Sequence, residues 1–151
     1  MINRKKAILR GKAVILAGGA ALALAACATS SPPHPLEGTR WRLVDVETSG
    51  TSTRLTEELS SRHTLTFESE RAVMQLDCNR GNARWSASTP RSGNGTISFG
   101  PVASTRALCP RPTFGEELAS ELPKASGYTL TSDGTGLIIR TQAEVYVFTR
   151  D

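Results

Sequence analysis

The stretch HTLTF at residues 63–67, together with the segment 72–76 that follows it, decides the fold class. Apolar and polar residues alternate through 63–67, which places Leu65 and Phe67 on one face of an extended strand. Residues 72–76 predict a second strand, with 68–71 as the connection. The next segment, CNRGN at 78–82, is rich in residues that tolerate a positive φ and indicates a turn. These residues therefore predict neighbouring strands joined by short connections.

Similar signals continue in both directions along the chain. Asn94-Gly95 is typical of a tight hairpin, because a type I′ turn needs a positive φ at both central residues. The predicted strands are 41–46, in which Val44 interrupts the alternation, then 63–67, 72–76, 83–87, 96–99, 128–131, 137–141 and 144–149. Many short strands at this spacing favour a sandwich or small barrel. We therefore predict a mainly β (α+β) domain, built as a compact antiparallel sheet or small barrel.

One segment has the period of a helix instead. Phe114, Leu118 and Leu122 recur at i, i+4 and i+8, which gives one apolar face. Thr113 and Glu116 have the spacing of a capping box at the start of this face. The segment predicts a single amphipathic helix that ends near Pro123 and packs on the sheet. A short helical turn is a further possibility at 55–59.

The N-terminal residues indicate export and lipidation. Residues 1–26 contain five basic residues and no acidic ones, and the apolar run 13–26 is 14 residues long. That run is shorter than the roughly 20 residues of a membrane span and is typical of a signal peptide. Leu24-Ala25-Ala26-Cys27 matches a bacterial lipobox, so we expect cleavage before Cys27 and a lipid anchor on it. An aspartate after the lipidated cysteine would signal retention in the inner membrane, and this chain has Ala28 there. In a Gram-negative host we therefore expect the protein to lie on the periplasmic face of the outer membrane.

Removal of residues 1–26 changes the charge of the protein. The full chain carries 18 basic and 14 acidic residues, but the mature chain would carry 13 and 14, for a net charge of −1. The excess of positive charge thus belongs to the leader, and no nucleic-acid partner is predicted. Residues 27–35 hold three prolines and small polar residues, which predict a flexible tether. The folded domain is predicted to span 36–151.

The two cysteines that remain after lipidation are Cys78 and Cys109. An even number of cysteines in an oxidising compartment favours a disulfide. Two buried free thiols or a metal pair are the alternatives. Neither His34 nor His63 lies at a ligand-like spacing from the cysteines, so we predict no metal site.

An ordered set of short segments resembles the META/HslJ-like domain. The segments are LEGTRWRL at 36–43, LTF at 65–67, CN at 78–79, ISFG at 97–100 and TRALC at 105–109. The resemblance implies a mostly antiparallel β domain with one packed helix. It also implies export or lipid anchoring, an association with stress, antibiotic tolerance and motility or secretion, and no established enzymatic activity, substrate or cofactor. The chain departs from the family pattern at Asp77, where a glycine is common, and this departure suggests a turn that is not tightly constrained.

Few residues are candidates for a site. The polar turn formed by Asp77, Asn79, Arg80 and Asn82 could contact a ligand, although turn formation alone also explains these residues. Trp85, like Trp41, could line a pocket or belong to the core.

No catalytic group is predicted. Glu116 and Glu117 are adjacent and point to different sides of a helix, and a lone histidine such as His63 is usually a rim residue. The resulting prediction is a non-catalytic lipoprotein without a cofactor that binds an envelope protein or a small molecule in a stress role. The alternatives are an inhibitor of a lysozyme or protease, and a structural envelope component.

Overall fold

Extended segments dominate the computed structural model, which describes residues Pro32–Asp151. The strands are β1 (Arg40–Thr48), β2 (Thr51–Arg54), β3 (His63–Phe67), β4 (Arg71–Leu76), β5 (Asn79–Ala87), β6 (Asn94–Gly95), β7 (Ile97–Phe99), β8 (Ala103–Ser104), β9 (Gly127–Leu130), β10 (Gly136–Arg140) and β11 (Glu144–Arg150). The helices are α1 (Glu57–Ser61) and α2 (Gly115–Glu121), and a 3₁₀ turn (Leu122–Lys124) continues α2. The predicted mainly β class is confirmed, and the additional strands are short ones of two to four residues.

All strand pairs are antiparallel and form one curved sheet. The strands follow the order β6-β9-β10-β11-β1-β3-β4-β5-β7, while β2 pairs with β1 and β8 pairs with β5. The two ends of this path, β6 and β7, are separated by a single residue, Thr96. Because β6 pairs with β9 and β7 pairs with β5, one extended segment joins both ends of the sheet. The sheet therefore curls into the predicted barrel-like form.

The core lies inside this curved sheet. Leu65 and Phe67 share the buried face, as their alternation predicts, and both are fully buried. Trp41 is also a core residue, and its indole nitrogen donates to Thr39 Oγ1 at 2.6 Å. The interruption at Val44 corresponds to a bulge, because the register with β11 shifts between Leu43 and Asp45.

Helix α2 packs on the sheet, but it does not begin with the predicted capping box. The helix starts at Gly115, and its N-cap residue, Phe114, makes no capping hydrogen bond with its side chain. The Thr113 hydroxyl lies 3.5 Å from the Gly115 nitrogen, at the limit of a hydrogen bond. The predicted apolar face is present, since Leu118 and Leu122 are fully buried.

A second short helix, α1, accompanies α2, so the prediction of one packed helix was incomplete. Its N-cap is Thr56, whose hydroxyl accepts a hydrogen bond from the Leu59 nitrogen at 3.3 Å. Such a five-residue helix gives only a weak periodic signal in sequence, which explains why it was predicted as no more than a possible turn.

The packed domain extends two residues to the N-terminal side of the predicted boundary at 36. The His34 ring lies edge-on to Trp85 and Tyr128, and its Nε2 is 3.0 Å from the Ser88 carbonyl oxygen. The signal peptide, Cys27 and most of the predicted tether lie outside the described residues. Within Pro32–Asp151, no helix has the length and apolar character needed to cross a membrane.

Candidate functional site

The hairpin between β4 and β5 begins the site, and Asp77 holds its turn in place. Asp77 has a φ of 63°, in the left-handed region that glycine adopts most easily. Its carboxylate is buried and pairs with Arg62 Nη1 at 2.9 Å. The Asp77 nitrogen also donates to the Arg62 carbonyl oxygen at 2.8 Å. The expectation of a loosely constrained turn was therefore wrong, because an ion pair of the buried carboxylate fixes the strained residue.

Asn79 attaches the segment after β8 to this hairpin. Its Nδ2 donates to the Ala107 carbonyl oxygen at 2.9 Å, and its Oδ1 accepts from the Ala107 nitrogen at 2.8 Å. The same Oδ1 accepts from the Thr105 hydroxyl at 2.8 Å. The side-chain amide thus pairs with Ala107 as the backbone of a neighbouring strand would. This role leaves Asn79 little capacity to bind a ligand directly.

A disulfide between Cys78 and Cys109 makes a second attachment. The residues around it form a segment without helix or strand, 105–113, which we call the braced loop. The Thr105 nitrogen donates to the Arg80 carbonyl oxygen at 3.0 Å, so pairing with β5 continues into this loop. The loop is irregular, but its first half is held firmly.

His63 connects the far end of the braced loop to α1. The ring is fully buried, its Nδ1 lies 2.7 Å from the Leu59 carbonyl oxygen, and its Nε2 lies 3.2 Å from the Phe114 nitrogen. A neutral ring with its proton on Nδ1 satisfies both partners. Burial lowers the pKa of His63, which favours this neutral form. His63 is therefore a buried connector, and its interpretation as a rim residue was wrong.

A groove of about 430 Å³ separates the braced loop from α2. Its volume is within the usual range for ligand clefts. Leu76 and Val102 supply apolar surface, and Ala119 lines the helix wall. Leu108 borders the groove, and its side chain is fully exposed to solvent. An exposed leucine on a braced loop is the least expected feature of this surface, since it gains nothing from burial in the fold.

Arg106 places positive charge on the loop side of this groove. Arg80, Arg106 and Arg111 are exposed, and none of them forms an ion pair with another described residue. On the helix side, Glu116 lines the groove. The two walls therefore carry opposite charge.

Trp85, the other ligand candidate, lies far from this groove. It is six residues from Asn79 along β5, which corresponds to roughly 20 Å. Its indole nitrogen donates to the Glu68 carbonyl oxygen at 2.7 Å, and its ring lies edge-on to Phe67 at 4.7 Å. A shallow depression of about 380 Å³ beside it is lined mainly by polar residues. The structure places Trp85 at the edge of the core.

A group of carboxylates lies on another side of α2. Glu144 is buried, and its carboxylate accepts hydrogen bonds from the Tyr146 hydroxyl and, at 3.3 Å, from the Thr48 hydroxyl. A hydrogen bond with Glu144 and partial burial raise the pKa of Glu117 to about 7. Glu117 therefore keeps its proton at a higher pH than an ordinary glutamate does. Glu116 and Glu117 point to different sides of the helix, as predicted. The carboxylate beside Glu117 is instead that of Glu144, in β11.

The structure brings together only some of the predicted site residues. Asp77 in the β4–β5 turn and Asn79 and Arg80 at the start of β5 lie beside the disulfide, where the first two stabilise the fold and Arg80 faces solvent. Asn82 accepts a hydrogen bond from Arg71 and has a structural role as well. Sequence reasoning missed Leu108, because exposure of a single leucine in a loop has no periodic signal. Within Pro32–Asp151, no group of three or more potential ligands is placed to hold a metal ion.

A family model described as META domain matches residues 34–151. The chain is similar to a protein from Burkholderia xenovorans solved by NMR, with 19% identity, a TM-score of 0.55, and coverage of 82% of this chain and 92% of that one. It is also similar to a DUF4847 family protein from Bacteroides vulgatus, with 12% identity, a TM-score of 0.49, and coverage of 77% and 94%. No curated protein matches the chain. At such identity, the likeness to the Burkholderia protein indicates a shared fold.

Proposed function

We propose that this chain, which belongs to the META domain family, is a non-catalytic lipoprotein that binds an envelope protein through the braced loop. The observation that carries the proposal is the fully exposed Leu108 on a loop held by a disulfide and by Asn79. An exposed apolar side chain on a rigid loop is suited to anchor a protein interface, because little conformational entropy is lost on binding. The unpaired arginines of the same loop would steer an acidic partner toward it.

The place of action follows from the N-terminal residues. Residues 1–26 have the features of a lipoprotein signal, and Cys27 is the proposed site of lipidation. A lipid anchor would keep the domain within reach of the membrane on the periplasmic side of the outer membrane. The stress and antibiotic-tolerance role is proposed from the family resemblance. Replacement of Cys27 by alanine should abolish incorporation of labelled palmitate, and persistence of the label would contradict the anchor.

A capture experiment tests the interaction. The lipidated protein is crosslinked in intact envelopes and then purified. The partners it retains are compared with those of the Leu108→Asp and Thr131→Asp variants. Thr131 lies in the turn between β9 and β10, so the matched control adds the same charge elsewhere. We expect at least one partner that is retained by the control variant and lost by Leu108→Asp. Identical recovery with all three proteins would refute a role for the braced loop.

An inhibitor of a lysozyme or protease is the second candidate. It is favoured by the same braced, exposed loop, which has a form suited to insertion into an enzyme cleft. Inhibition of lysozyme or of a periplasmic protease by the wild-type protein, relieved by Leu108→Asp, would support this candidate. Full enzyme activity at a large molar excess of the protein would exclude it for that enzyme.

A further inference from the structure

One edge of the sheet is unpaired beside the groove. Strand β8 pairs with β5 on one side, and no other described strand pairs with it. In an antiparallel pair, successive residues direct their backbone groups alternately toward the partner strand and away from it. The Thr105 nitrogen donates to β5, and the Ala107 nitrogen donates to Asn79. The backbone N–H and C=O groups of Ser104 and Arg106 therefore point away from the sheet.

The groove begins where these backbone groups point. Ser104 and Arg106 line it on one side, and Glu116 and Ser120 of α2 line it on the other. No described residue makes a backbone hydrogen bond with Arg106. A strand edge with free donors and acceptors, facing a helix across a cleft, is the arrangement in which a protein domain can add an extended peptide as a new strand.

We propose that the groove binds an extended polypeptide segment of the partner as an added strand along β8. The inference rests on the proposed function, since it specifies how the partner is held. Main-chain hydrogen bonds to Ser104 and Arg106 supply the pairing, and a small or apolar side chain lies over Val102 and Ala119. The edge from Ala103 to Ala107 is five residues long, which corresponds to roughly 16 Å and matches a short segment.

The charges specify the segment further. Arg106 lies on this edge and lines the loop side of the groove, where it forms no ion pair with another described residue. An acidic side chain on that side of the bound segment would pair with it. Glu116 faces the opposite side and disfavours a second acid there. We therefore expect a segment in which an acidic residue and an apolar residue alternate.

A peptide experiment tests the strand addition. Phage-displayed random 12-residue peptides are selected against the full-length protein in detergent, with counterselection against Ser120→Trp, which fills the groove from an exposed helix position. One selected peptide is then synthesised with and without N-methyl groups on alternate residues. Methylation of the residues whose N–H groups face β8 should weaken binding about tenfold per blocked hydrogen bond. Methylation of the residues between them should change the affinity little. Equal binding of all N-methylated forms, or no enrichment over Ser120→Trp, would overturn the proposal.

Two variants at one position provide the matched control on the protein. Arg106→Ala removes the guanidinium and keeps the outward N–H, whereas Arg106→Pro also removes that N–H. We expect peptide binding to weaken about tenfold more in Arg106→Pro than in Arg106→Ala. If partner capture depends on Leu108 while peptide binding is equal in these two variants, the proposed function stands and strand addition is refuted. Because N-methylation requires no change in the protein, misfolding of Arg106→Pro would leave the test intact.

Discussion

Replacement of Glu117 by glutamine should change how the free energy of unfolding depends on pH. In the folded protein, the hydrogen bond with Glu144 raises the pKa of Glu117 from 4.5 to about 7. A raised pKa means that the folded state binds the proton more tightly than the unfolded state. The associated stability is fully present below pH 4.5 and is lost as the pH rises through 7. Glutamine stays neutral and can still donate to Glu144, so it should not show this loss.

The size of the effect follows from the pKa and from exposure. A change from 4.5 to about 7 corresponds to at most about 3 kcal/mol. Glu117 is exposed, however, so solvent screening reduces the effect to about 1 kcal/mol. The Glu117→Gln variant also lacks the negative charge that favours the start of α2, which offsets a few tenths of a kcal/mol of its advantage at high pH. We therefore expect the stability of Glu117→Gln relative to the wild type to rise by about 1 kcal/mol between pH 4.5 and 7.5.

Urea unfolding of both proteins at several pH values measures this difference. Titration of His63 affects both proteins equally and cancels in the comparison. Glu116→Gln is the matched control, since it removes the adjacent charge from the groove side of the helix. A stability difference that stays constant from pH 4.5 to 7.5, or one that Glu116→Gln reproduces, would refute the raised pKa of Glu117.

Three further predictions concern the residues that hold the site. Asn79→Ala removes the side-chain hydrogen bonds to Thr105 and Ala107 and should cost about 2 kcal/mol, with faster hydrogen exchange at the Ala107 N–H. An unchanged exchange rate would contradict the role of Asn79 in holding the braced loop. Gly115→Ala places a Cβ against the Leu76 carbonyl oxygen and should destabilise the protein by about 2 kcal/mol. Gly100→Ala is the control, because a Cβ there meets nothing closer than 3.9 Å. Equal shifts of the melting temperature in the two variants would contradict the contact at Gly115. For His63, burial lowers the pKa below 6.5, so the unfolded state binds protons more readily and stability should fall as the pH drops below 6.5. His63→Phe should reduce this dependence of stability on pH and lower the free energy of unfolding by about 2 kcal/mol at pH 7.5. If urea unfolding shows the same pH dependence in His63→Phe and in the wild type, another group is responsible.

The sequence predicted most of the strands and the helix, because alternation and the i, i+4 period report directly which face is buried. Leu65, Phe67 and Leu118 are examples, and all three are fully buried. The same logic cannot predict contacts between distant segments. The carboxylate pair joins residues 27 positions apart, and the buried ring of His63 accepts from a nitrogen 51 positions away. No local pattern distinguishes these partners from ordinary surface groups, so only the fold reveals them.

The turn at Asp77 shows a related limit. A glycine is the expected residue at a positive φ, and an aspartate there suggested a looser turn. The structure instead buries the carboxylate and pairs it with the half-buried Arg62, 15 positions away. The favourable interaction offsets the cost of the left-handed conformation, which is on the order of 1 kcal/mol for such a residue. The aspartate thus holds the turn at a positive φ through its ion pair.

The braced loop is suited to binding because several independent contacts hold it before a partner arrives. A free loop of this kind loses roughly 1 kcal/mol or more of conformational entropy for each residue that binding orders. In this protein the disulfide, the Asn79 amide and the His63 ring hold the two ends of the loop. The folding of the domain has therefore already fixed the backbone near Leu108. Most of the binding free energy of a contact at Leu108 can then contribute to affinity.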